Sequence, residues 1–76
     1  MQLFPNPATD EITILLPAST ANNIAIYDIA GRKMNVNCPP QIKEKTTLKI
    51  EGLSSGFYIL KATGDRNIFS AAFFKN

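Results

Sequence analysis

The stretch "FYILKAT", Phe57–Thr63, alternates Phe57, Ile59, Lys61 and Thr63 against Tyr58, Leu60 and Ala62. Aromatic and β-branched side chains at a spacing of two fit a pleated surface, so the segment reads as a strand. Both sets carry bulk, which predicts a central place in its sheet. Upstream, "SSG" ends at Gly56 as a turn. Downstream, "GDRN", Gly64 to Asn67, has the composition of a hairpin loop, and "IFSAAFFKN" returns as the last strand.

The same period runs back through the chain. Glu11 to Leu16 puts Ile12, Ile14 and Leu16 on one face, Asn23 to Ile29 turns Ile24 and Ile26 inward, and Thr46 to Ile50 aligns Leu48 with Ile50, with Leu53 extending the pattern past Gly52. In "IYDIAGRKMNV" Gly31 lies between two strand-like runs, where a hairpin loop needs a residue at positive φ. A further strand is expected over Lys33 to Asn37, with Met34 and Val36 inward. "PASTANN" reads as a turn-rich connection. Pro39 and Pro40 in "NCPPQIKEK" forbid a central strand and leave a short edge strand around Gln41 to Glu44. No segment keeps a helical pattern for three turns, and six or seven short strands separated by turns predict an all-β antiparallel sandwich.

A chain of 76 residues is one domain, burying about 60% of the surface its unfolded form exposes. Cys38 is its single cysteine, so no internal disulfide and no zinc-ligand spacing exists, and Cys38 is read as a packing residue. Eight basic and six acidic residues leave a charge of +2, with the basic ones scattered, which argues against a nucleic-acid partner. No apolar run approaches the roughly 18 residues that cross a bilayer, and Pro17 interrupts the best one, "ITILLPA", so no membrane insertion is expected. If the parent protein is exported, its signal peptide is expected upstream of this stretch.

Histidine is absent, which removes the usual general base and the commonest metal ligand. Adjacent Asp10 and Glu11 point to opposite faces of a strand, and the six carboxylates form no calcium-loop pattern. Ser19, Ser54, Ser55 and Ser70 have no partner base, and Gly31, Gly52, Gly56 and Gly64 are isolated turn residues, not a phosphate loop. The reading is a non-enzyme with no catalytic residue, metal or cofactor. Phe57, Tyr58, Phe69, Phe73 and Phe74 are assigned to core and interface packing, with a sugar-stacking platform as the alternative.

The opening "FPNPATD", Phe4 to Asp10, is stiff: Pro5 and Pro7 fix φ and lack donors, and each biases the residue before it toward extended geometry. Residues 1–10 are expected to form a lead-in at a sheet edge, with Asn6 bonding backbone two residues on as an Asx-turn.

The order "PNPA" (Pro5 to Ala8), "IYDIAGR" (Ile26 to Arg32), "LSSGFYIL" (Leu53 to Leu60) and a terminal apolar strand ending in Lys75 resembles the C-terminal sorting domain (type A) of the type IX, or Por, secretion system of Bacteroidetes, over nearly the whole chain. The resemblance implies an immunoglobulin-like β-sandwich of about seven short strands at the end of a larger secreted protein. It implies a passage through the periplasm to the outer membrane, cell surface or medium, and it gives the chain an N-terminal cargo domain, translocon and shuttle proteins, and a sortase-like cysteine peptidase as partners. By the same resemblance Pro5, Asn6 and Pro7 match the opening motif, Gly31 and Arg32 the hairpin motif, Leu53, Gly56 and Tyr58 the "L-x-x-G-x-Y" motif, and Lys75 the terminal basic residue. "FSAAFFKN" departs from the family's looser pattern of lysines and branched aliphatics.

Phe73, Phe74, Lys75 and Asn76 are expected to dock a partner by strand addition through unpaired backbone groups. Two other readings stay open: a fibronectin-like module binding carbohydrate through Tyr27 or Tyr58, and a structural or dimerisation cap.

Overall fold

Period-two patterning becomes six strands in the computed structural model, which describes residues 1–16, 22–39 and 42–76. They are β1 (Gln2–Phe4), β2 (Glu11–Leu15), β3 (Asn23–Asp28), β4 (Lys45–Lys49), β5 (Gly56–Thr63) and β6 (Ile68–Lys75). Two antiparallel sheets result, ordered β1-β2-β4 and β3-β5-β6. β5 is central in the second sheet, as its sequence predicts.

Alternation fixes which face is inside. Ile12 and Ile14 of β2, Leu48 of β4 and the flanking Leu16 and Ile50 are buried from one sheet; Ile24, Ile26, Tyr58, Leu60, Ala62 and Phe73 are buried from the other. The register Ile12↔Leu48 and Ile26↔Leu60 keeps these sets on facing surfaces, since a slip by one residue would turn every one of them to water. The order of elements is that of an immunoglobulin-like sandwich, with the first strand, the second and β4 in one layer and β3, β5 and β6 in the other.

The two outer faces differ. That of β1-β2-β4 is mostly polar, carrying Gln2, Glu11, Thr13, Lys45, Thr47 and Lys49 beside the apolar Phe4 and Leu15, with the Thr13 and Thr47 hydroxyls 3.0 Å apart. That of β3-β5-β6 carries Tyr27, Phe57, Ile59, Ile68, Ala72 and Phe74. β5 therefore has bulk on both faces because one meets the core and the other is a largely apolar outer surface.

Several expectations are corrected. There are six strands among the described residues, not about seven. Lys33 to Asn37 is no strand: it touches β3 through the bridge Tyr27↔Lys33 and a Met34 N–H to Ile26 carbonyl bond of 2.7 Å. Met34 and Val36 do pack against the core, but the intervening asparagines and following proline favour no ladder. No strand forms over 42–44, where Lys43 instead exchanges two 3.1 Å bonds with the Thr46 hydroxyl; residues 40–41, and 17–21 of the "PASTANN" connection, lie outside the described residues. Cys38 is exposed, its thiol donating to the Ile24 carbonyl at 3.4 Å.

The opening segment contributes more than a lead-in. Gln2–Phe4 pairs with β2, Leu3 packs on the core, and Ala8 is 0% exposed. The peptide bonds before Pro5 and Pro7 are both cis, and through this turn the chain leaves the first sheet and reaches the second.

Candidate functional site

Ala8 lies parallel to Lys75 at the end of β6. Its N–H donates to the Phe74 carbonyl (2.8 Å), and its carbonyl accepts from the Asn76 N–H (2.8 Å). The Phe74 N–H donates to Asn6 Oδ1 at 3.0 Å. Asn6 thus makes no Asx-turn with its own segment; its acceptor is spent on a residue at the other end of the chain. The expectation of free backbone groups over Phe73–Asn76 is corrected accordingly, because Phe74 and Asn76 are already paired. Lys75 is buried, its aliphatic stem inside and its Nζ donating to the Asn76 carbonyl (2.9 Å).

The turn "DIAGR" is built on Asp28. Its Oδ1 accepts from the N–H groups of Ala30 (3.0 Å) and Arg32 (2.8 Å), and its Oδ2 from Arg32 Nε (2.9 Å). Gly31 takes φ 87°, where a Cβ is strained, so Gly31→Ala is disfavoured on backbone grounds alone. The Arg32 backbone N–H foremost holds the Asp28 carboxyl below the ordinary range; desolvation, next in size, opposes it, and the Arg32 guanidinium and the Ala30 N–H add to the lowering. A depressed folded-state pKa adds stability that is present above the unfolded value and lost as pH falls through the folded one. Asp28→Asn should therefore lower the melting temperature at pH 7, and the gap to the unaltered protein should close in acid; a gap independent of pH would exclude this role. Asp28 was missed as a site residue, although an aspartate just before a short glycine loop is itself a turn signal.

In "LSSGFY" the Tyr58 hydroxyl donates to the Ser54 carbonyl at 2.7 Å, tying the start of β5 to the connection before it, as the tyrosine corner of immunoglobulin-like domains does. Tyr58 is only 6% exposed and stacks on Phe73 at 5.8 Å. It is not available to a sugar. Leu53 is half-buried, and Gly56, at φ 150°, sits opposite Lys75.

These motifs, spread from residue 5 to residue 75, meet at one end of the second sheet. The register places Asp28 beside Tyr58 and Tyr58 beside Phe73, one row across all three strands; Gly56 neighbours Lys75, and Lys75 neighbours Ala8. Next to this end the outer face exposes Ile29 (81%) and Phe57 (61%), the latter edge-on to Phe74 at 4.9 Å. A shallow groove of about 300 Å³ runs between Tyr27, Ile29, Gly31 and Ile59, with Lys61 over the Tyr27 ring at 5.7 Å.

Little reactive chemistry gathers there. Although Cys38 is exposed as a residue, partial desolvation of its thiol against β3 pushes its pKa up, outweighing the pull of Lys33, so it is not activated. Among the described residues no cluster of three or more carboxylates and cysteines is placed to hold a metal. The two three-stranded antiparallel sheets define an immunoglobulin-like module. A model of the secretion system C-terminal sorting domain matches residues 2–75, and the chain belongs to that family. It is a sorting signal for type IX secretion, which implies export to the cell surface or extracellular space and interaction with the type IX machinery. The family is not an enzymatic one. No curated protein and no solved structure matches the chain. Among the described residues no helix is long and apolar enough to cross a membrane.

Proposed function

We propose that the end of the sandwich where the four motifs meet is the surface a translocon or shuttle protein reads. In this reading Pro5, Asn6, Pro7, Gly31, Arg32, Leu53, Gly56, Tyr58 and Lys75 build the surface, and Phe74 and the terminal residues of β6 present it together with Ile29 and Phe57. The observation that supports it is the row Asp28–Tyr58–Phe73, which gathers residues distant in sequence without any buried polar atom left unpaired among those described. The domain carries no catalytic group, metal or cofactor of its own. Its cargo precedes it, crosses the periplasm with it, and is parted from it by a sortase-like cysteine peptidase.

The test fuses the chain to the C-terminus of a reporter bearing an ordinary export signal, in a Bacteroidetes host with the pathway intact or deleted. Ile29→Ser with Phe57→Ser alters exposed side chains, so stability should fall by only about 1 kcal/mol, mainly the edge contact of Phe57 with Phe74, whereas export should fall at least about tenfold. Full export of that variant places recognition elsewhere. Pro5 and Pro7 hold the turn between β1 and the seam at Ala8, and by keeping β1 docked they leave the junction upstream of it accessible to the peptidase; unchanged domain stability, secretion and processing after Pro5→Ala with Pro7→Ala would remove that idea.

A further inference from the structure

Sheet edges are templates for pairing, and three of the four here are blocked. β1 is three residues long and ends at Pro5. β3 is covered by the segment after Gly31, through bonds from Met34 to Ile26 and from Cys38 to Ile24. β4 is flanked by Lys45 and Lys49, which resist apposition of another strand.

The fourth edge is different. Because Phe74 and Asn76 direct their backbone groups away from β5, alternation directs those of Ile68, Ser70 and Ala72 the same way. No described residue pairs with them. None is charged, none is proline, and Ile68 is 72% exposed. The strap of Asn6 and Ala8 closes the edge beyond Ala72, and the turn at Gly64–Asn67 closes it before Ile68.

We infer that this edge, Ile68 to Ala72, pairs antiparallel with the same edge of a second copy about a two-fold axis at Ser70. The stretch is self-complementary in that register: Ile68 falls opposite Ala72, large against small, and Ser70 opposite itself, with no like charges in apposition. About six backbone hydrogen bonds form across the axis, one pair at each of the facing positions. Ile68 of each copy lies beside Ala72 and diagonal to Phe74 of the other, which takes its exposed side chain from water. Two three-stranded sheets become one continuous sheet, with both apolar outer faces on the same side. The contact is smaller than that of a stable complex, so the dimer is weak and forms on concentration. The inference stands apart from the sorting role, since it uses neither the motifs nor the pathway.

The two-fold register supplies its own test. Sedimentation velocity over a concentration series should show self-association of the unaltered domain. Ser70→Lys and Ser70→Glu, on an exposed side chain that faces Lys61 of β5, should each weaken it at least about tenfold alone, because like charges meet across the axis; the lysine variant melts slightly lower and the glutamate variant does not, and both stay folded at the temperature of the measurement. Mixing the two variants should restore dimers. A domain that stays monomeric throughout overturns the inference, as does a Ser70→Lys variant that dimerises normally. Loss of export by Ser70→Lys in a domain that never self-associates also overturns it, and would point to a strand supplied by another protein.

Discussion

Phe73→Ala is expected to cost about 3–5 kcal/mol, the usual range for emptying a well-packed aromatic site. Phe73 is among the largest fully buried side chains, pairs with Tyr58 across β5 and β6, and stacks on its ring. A chain this short has net stability of about 4–11 kcal/mol, so one truncation consumes a large part of it. Urea denaturation should show a lowered midpoint at an unchanged slope. Phe74→Ala, one residue on, should cost only about 1 kcal/mol, because that ring lies on the outer face edge-on to Phe57. The contrast bears on any truncation study of the terminal strand. Deleting Phe73 to Asn76 removes a core residue and the partners of Asn6 and Ala8, so lost export after that deletion reports unfolding as readily as lost recognition. Phe74→Ala separates the two.

Ala8→Asp is the second large effect. Ala8 is wholly buried and its backbone is paired on both sides with β6, so a carboxylate there is a charge without water or partner. The expected loss is on the order of 3–5 kcal/mol at neutral pH. Burial raises such a carboxyl's pKa in the folded state, so the part of the penalty due to charge is absent below the unfolded value, builds as pH rises from there and is complete above the folded one. Stability of Ala8→Asp should therefore recover in acid, the reverse of the Asp28→Asn comparison. If residues 1–10 were a free lead-in, the substitution would be neutral at every pH.

What could be read from the chain follows from how local the signals are. The alternation in β2, β3 and β4 belongs to single segments and gave their inward faces correctly, down to Leu16 and Ile50 just beyond the ladders, whereas β5 alternates bulk against bulk and β6 shows no clear period, so their strands were legible but their inward faces were not. The alternation of Met34 and Val36 was equally visible and their burial is real, yet burial without a hydrogen-bonded neighbour does not make a strand. "QLF" is too short to show a period, and its pairing with β2 is set by the turn that follows. Least legible was Asn6, whose acceptor serves an N–H 68 residues away; local rules offer it only an Asx-turn. The site motifs were recognised singly, but their meeting depends on the register of three strands, which no one of them encodes.

The parallel seam between Ala8 and β6 has a mechanical consequence. Tension applied upstream of Gln2 against an anchor at Asn76 runs along both partners in opposite senses, so the bonds at Asn6, Phe74, Ala8 and Asn76 are loaded side by side in shear. They must yield together, not peel in sequence. A passenger hauled by its trailing domain would thus be gripped at the seam where the tag's two ends cross.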